Sequence, residues 1–111
     1  RQIPIAQEIR RYGIAIVMAT HPDQALATAA TKKYVRYGSS PRGLQALILG
    51  AKIRAILDSR YHVAREDLRL MAKPVLRHRM ILNFEGQAEG ITSDEVIDQI
   101  LATLSESAIA A

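Results

Sequence analysis

Ser40-Pro41-Arg42 is the place where this sequence could handle an anion. Ser40 suits an N-cap, Pro41 suits the first helical position, and a long apolar run follows directly. Arg42 then falls in the first turn of a helix, among backbone N–H groups without intrahelical partners and at the positive end of the helix dipole. That combination favours an anion, and a phosphate matches it well. Just upstream, Tyr37 and Gly38 would shape the turn that aims Arg42, Gly38 through a positive φ that glycine adopts at little cost. A solvated arginine behind a well-made helix start is the plainer account of the same spacing.

A second group is Arg77-His78-Arg79, a basic triplet that closes a helical stretch. Cations there complement the helix dipole and remain solvated, or they face a partner. Other chemistry is largely absent. No Gly-x-x-x-x-Gly-Lys-[Ser/Thr] phosphate loop occurs, and no lysine follows any glycine. His21, His62 and His78 lack metal-ligand spacing, so no metal site is expected. Glu66, Asp67, Asp94 and Glu95 all sit where first-turn acids belong. With no cysteine, the chain has neither disulfides nor thiolate metal ligands, which fits a reducing, cytoplasmic setting.

The elements that must carry these residues read as helices. The 111 residues suffice for one hydrophobic core, and a 49% apolar content with 23% charged residues argues against disorder. No apolar run reaches the roughly 18 residues of a membrane span. A net charge of +4 permits an acidic partner without demanding nucleic acid. The start lacks a methionine and reads as a piece of something longer. We expect one domain over 1–111, with the tail 105–111 frayed.

Pro4 can open a first helix, along which Ile5, Ile9, Tyr12, Ile16 and Ala19 make one amphipathic face. Gly13 would allow a close neighbour. Residues 23–33 show no strong period and read as a connection, and Lys32 to Tyr37 could form a short helical turn. From Pro41 to about Ser59 the apolar residues spread around nearly the whole circumference, which predicts a buried central helix. Ala46 and Gly50 would let another element approach it closely. Leu68, Met71, Ala72 and Val75 predict a further helix, uncapped at Ala64 and kinked or split at Pro74. Met80 to Phe84 reads as a short strand that could pair with Tyr61-His62-Val63. After a turn at Gly86–Gly90, Thr92 and Glu95 form a capping box for a last helix along Val96, Ile97, Ile100, Leu101 and Leu104. The fold class is therefore mainly α, a small bundle of about four helices with a short two-stranded β-ribbon.

Three stretches carry a family resemblance: Gly38-Ser39-Ser40-Pro41-Arg42, Arg60-Tyr61-His62-Val63 with Arg65-Glu66-Asp67-Leu68, and Pro74-Val75-Leu76-Arg77-His78-Arg79. The first resembles the sensor-2 motif of AAA+ ATPases of the MoxR type. The whole resembles the C-terminal lid domain of such an ATPase, with the ATPase core absent.

The resemblance implies that Arg42 reaches from the lid to the γ-phosphate of ATP held by a core, with Pro41 and Ser40 beside the nucleotide. It implies ATP and Mg²⁺ for the parent protein and none for this chain alone, whose own activity would be nil. Implied partners are the parent's own AAA+ core, neighbouring subunits of a ring, usually hexameric, and client proteins carrying a von Willebrand factor A domain. Arg77, His78 and Arg79 would steady a turn or face a neighbouring subunit. A different class of reading stays open: a small basic, winged-helix-like module binding nucleic acid or protein through Lys32, Lys33, Arg36 and Arg42.

Overall fold

The computed structural model describes residues 4–104. Among these are six helices and two strands: α1 (Gln7–Met18), α2 (Ala29–Tyr34), β1 (Val35–Tyr37), α3 (Pro41–Leu57), α4 (Arg65–Leu76), β2 (Ile81–Leu82), α5 (Phe84–Ala88) and α6 (Ser93–Thr103). The expected tail, 105–111, lies outside the described residues.

The periodic stretches fold as their spacing dictates. On α1, Ile9, Tyr12, Ile16 and, at its exit, Ala19 are buried, and Ile5 packs partly against them. Gly13 is buried between Leu44 and Leu68, whose methyl groups lie within van der Waals reach of where its Cβ would be. On α6, Val96, Ile97, Ile100, Leu101 and the C-capping Leu104 are all buried. Its start is the expected capping box: Thr92 Oγ1 accepts from the Glu95 N–H at 3.2 Å, and Glu95 Oε1 accepts from the Thr92 N–H at 2.8 Å.

The helices α3 and α4 form the most extensive pairing in the domain, with α1 and α6 laid against them. Gly50 lies in this contact, where a Cβ would stand 2.9 Å from Met71 Cε, the far end of a flexible side chain. The helix α4 continues through Pro74 rather than splitting. Proline at this place removes one hydrogen bond near the helix end, a smaller loss than a mid-helix break. Ala64 offers no side-chain cap, but its own N–H donates to Asp67 Oδ2 at 2.8 Å, so the helix start is closed from within.

Three expectations are overturned. First, α3 is not buried all round. Leu47, Ile48, Ala51 and Ala55 face inward, whereas Leu49, Ile53, Ile56 and Leu57 stay exposed, Leu57 at 81%. A domain of this size has inner partners for only one face of a 17-residue helix.

Second, Tyr61-His62-Val63 forms no strand. The ribbon is antiparallel β1 with β2, pairing Val35 with Leu82 and Tyr37 with Ile81. Residues 60–63 instead make the turn into α4, where Arg60 Nη1 donates to the His62 carbonyl at 3.2 Å. Lys32 to Tyr37, expected as one helical turn, is the end of α2 followed by β1, and α2 begins at Ala29, inside the stretch expected to be a connection.

Third, the expected turn at Gly86–Gly90 is largely helical: Phe84–Ala88 form α5. Asn83 Oδ1 accepts from the Gly86 N–H at 2.8 Å and starts it. Gly90, with φ of 73°, ends the segment.

Candidate functional site

The site begins where β1 gives way to α3. Pro41 is the first residue of α3 and Arg42 the second, both exposed. Ser40 occupies the N-cap position in an extended conformation, but its side chain makes no capping hydrogen bond. Pro41 has no N–H, and the Gly43 N–H donates to the Ser40 carbonyl at 2.8 Å. What suits an anion here is therefore the exposed Arg42 at the positive end of the α3 dipole. Among the described residues Arg42 has no ion-pair or hydrogen-bond partner, so its charge is not neutralised within the domain.

The residue that anchors the turn is Ser39, which the sequence reading passed over. It is fully buried. Its N–H donates to Thr20 Oγ1 at 2.9 Å, and Thr20 Oγ1 in turn donates to the Val17 carbonyl at 2.6 Å. Its carbonyl lies 2.6 Å from His21 Nε2. A carbonyl can only accept, so Nε2 carries the proton. A threonine hydroxyl that reaches back three residues at a helix exit is a local signal the sequence offers. Its contact with Ser39, 19 residues away, is not.

Gly38 does not have the expected positive φ; among the described glycines only Gly90 has one. What singles out Gly38 is closeness: a Cβ there would lie 2.5 Å from the Thr20 carbonyl oxygen. The same holds for Gly43 one turn into α3, where a Cβ would fall 1.8 Å from Ser39 Oγ. Tyr37 is 56% exposed, with the Arg36 guanidinium over its ring at 5.2 Å.

Between the end of α1 and the start of α3 runs a mostly apolar groove of about 310 Å³, bordered by Ile14, Val17, Met18, His21, Pro41 and Leu44 but not by Arg42. A larger concavity, about 650 Å³, lies between the start of α1 and the loop before α4 and shares no residue with the first turn of α3. Volume alone does not make it the site, because its lining is dominated by Ile5, Ile9, Val63 and Ala64.

The basic triplet is divided. Arg77 makes a two-pronged pair with Asp94, Nε to Oδ1 and Nη2 to Oδ2 at 3.0 Å each, which ties the end of α4 to the start of α6. His78 and Arg79 are exposed. Of the basic residues upstream, Lys33 is directed to Glu85, 3.9 Å away across the α2–α5 contact. Among the described residues, no group of three or more His, Cys, Asp or Glu is placed to hold a metal ion. No described helix is long and apolar enough to cross a membrane.

The described residues thus form a helical bundle with a short two-stranded ribbon, in which α3 starts after a Gly-Ser-Ser-Pro turn. The sequence pattern of the AAA lid domain matches residues 27–100, and the chain belongs to that family. It is 31% identical over 94 residues to Chaperone MoxR1 of Mycobacterium tuberculosis, covering 85% of this chain and 25% of the relative. Against Protein MoxR of Paracoccus denitrificans the identity is 35% over 82 residues, covering 72% and 24%. Within the family it is therefore a lid of the MoxR type. A crystal structure of a protein provisionally described as an ATPase, from Cytophaga hutchinsonii, superposes with a TM-score of 0.88 at 34% identity, over 94% of this chain and 32% of that one. The chain spans about a quarter of the length of the curated relatives it matches.

Proposed function

We propose that this chain is one lid domain of a longer ATPase whose AAA+ core lies outside residues 1–111, and that Arg42 acts as its sensor-2 arginine. One observation carries the reading: Arg42 heads an exposed apolar stripe. Positions 42, 49, 53 and 56 recur at helical spacing on one face of α3, and Arg42, Leu49, Ile53 and Ile56 are all exposed. A single body lying along α3 would cover the three apolar side chains and at the same time meet the arginine. An ATP-binding core is such a body.

In that arrangement the guanidinium lies against a terminal phosphate and stabilises the charge that develops during phosphoryl transfer. Pro41 and Ser40 flank the nucleotide, and the positive end of the α3 dipole adds partial positive charge. Magnesium neutralises phosphate charge in such reactions, and its ligands would come from the core. Loss of the phosphate contact after hydrolysis lets the lid rotate against the core, which couples turnover to chaperone-like remodelling of client proteins. Such clients include those with von Willebrand factor A domains. A cytoplasmic ring, hexameric in the usual form, fits this role, with His78 and Arg79 free to face a neighbouring subunit.

The test is Arg42→Ala in the full-length ATPase. ATP turnover should fall by on the order of a hundredfold, while circular dichroism and melting of the lid stay as in the parent. Unchanged turnover would overturn the phosphate role.

A further inference from the structure

We infer that Thr20 and His21 are positioning residues for Arg42, holding Ser39 by both of its backbone groups and so setting the direction in which α3 begins. This deepens the sensor-2 reading and rests on it.

Helix starts are ordinarily fixed by their own N-cap side chain. Here Ser40 makes no such bond, so the local device is missing. In its place stands a long-range clamp from the exit of α1. The Thr20 hydroxyl gives its proton to the Val17 carbonyl at 2.6 Å, which leaves its lone pairs to receive the Ser39 N–H at 2.9 Å. His21 Nε2 donates to the Ser39 carbonyl at 2.6 Å.

Two glycines let the clamp close. Any side chain at position 38 would collide with the Thr20 backbone, and any at position 43 with Ser39 Oγ. Ser39 is thus wedged between the end of α1 and the first turn of α3.

Arg42 lies three residues further on. Pro41, in between, has its φ locked by the ring and gives no slack there. A shift of Ser39 is therefore passed to Arg42 as a change in the axis of α3. Positioned charge is sensitive to such changes: a displacement of about 1 Å can cost on the order of a hundredfold in rate.

The test uses the full-length ATPase with Arg42→Ala, Thr20→Val, Thr20→Ser, His21→Ala and the double variants with Arg42→Ala. Thr20→Val and His21→Ala should each lower kcat roughly tenfold, and Thr20→Ser, which keeps the hydroxyl, should restore it. In the Arg42→Ala background neither should cause further loss, because there is no longer a charge to misplace. A merely structural role would instead add its loss to that of Arg42→Ala, and such additivity overturns the inference. Wild-type turnover in Thr20→Val and His21→Ala, with Arg42→Ala impaired, also overturns it and leaves the arginine reading intact. Should Arg42→Ala itself retain full turnover, it is the underlying reading that fails. If buried Thr20→Val does not fold, half-buried His21 and its double variant decide the matter alone.

Discussion

Asp67 receives both arms of the Arg60 guanidinium, Nη1 to Oδ2 at 2.8 Å and Nη2 to Oδ1 at 2.5 Å. The carboxylate is almost fully buried, with 1% of its side chain exposed, and it also accepts the Ala64 N–H. One acid thereby joins the end of α3, the turn 60–63 and the start of α4.

The Arg60 hydrogen bonds, and after them the Ala64 N–H, hold the Asp67 carboxyl below its ordinary 3.8, against the opposing effect of burial. A carboxyl with a lowered folded-state pKa contributes stability above its unfolded value and loses it as pH falls through the folded value. The domain should therefore weaken as pH drops below about 4. Asp67→Asn should cost about 2–3 kcal/mol at neutral pH and flatten this acid limb. Urea melts of both proteins across that range check it; parallel pH profiles would count against Asp67 as the acid-sensitive group.

A second local prediction concerns Ser59, whose φ is 57°. It follows the α3 C-cap Asp58, its N–H donates to the Ile56 carbonyl and the Arg60 N–H to the Ala55 carbonyl, both at 2.9 Å. These two bonds define a Schellman ending, whose left-handed residue is ordinarily glycine. Ser59→Gly should relieve strain and stabilise the domain by about 0.5–1 kcal/mol, read as a higher urea midpoint. A lower midpoint would mean that serine's smaller unfolded-state entropy outweighs the strain.

How much of this was legible follows from what each feature depends on. The helices α1, α4 and α6 show themselves because their buried residues recur every three or four positions. Six-residue α2 and five-residue α5 are too short for that pattern to develop. The choice of β1 over Tyr61-His62-Val63 as the partner of β2 depends on tertiary placement, since Val35 is buried and Tyr61 is 85% exposed. At the site, the Pro41–Arg42 helix start is written locally. The hold of Thr20 and His21 on Ser39 spans a whole loop and has no local signature.

The outer face of α3 misleads for a related reason, and substitution can separate the two faces. Leu47 is fully buried, so Leu47→Asp places an unpaired charge in the core and should leave the isolated domain unfolded. Ile53 is 48% exposed, and Ile53→Asp should change the stability of the isolated domain by no more than about 0.5 kcal/mol. In the full-length ATPase the same Ile53→Asp should lower ATP turnover, because it would charge the surface proposed to meet the core. Thermal melts of the isolated domain and turnover of the whole protein distinguish these effects. Normal turnover of Ile53→Asp would show that the stripe is not covered by the core.

Arg42 also limits what the chain can do by itself. A charge-assisted hydrogen bond contributes roughly 1.5–3 kcal/mol, whereas even a Kd of 1 mM requires about 4 kcal/mol. One exposed guanidinium at a helix start, against solvent rather than a closed pocket, falls short of that. The groove bordered by Pro41 and Leu44 is lined mainly by apolar side chains, which do not distinguish ATP from other anions. Titrating ATP into the isolated chain, followed by shifts of the Arg42 and Gly43 amide signals, should give no saturation up to millimolar ATP. Binding in the micromolar range would mean that the domain holds a complete nucleotide site. Arg42 would then no longer depend on a core to complete it.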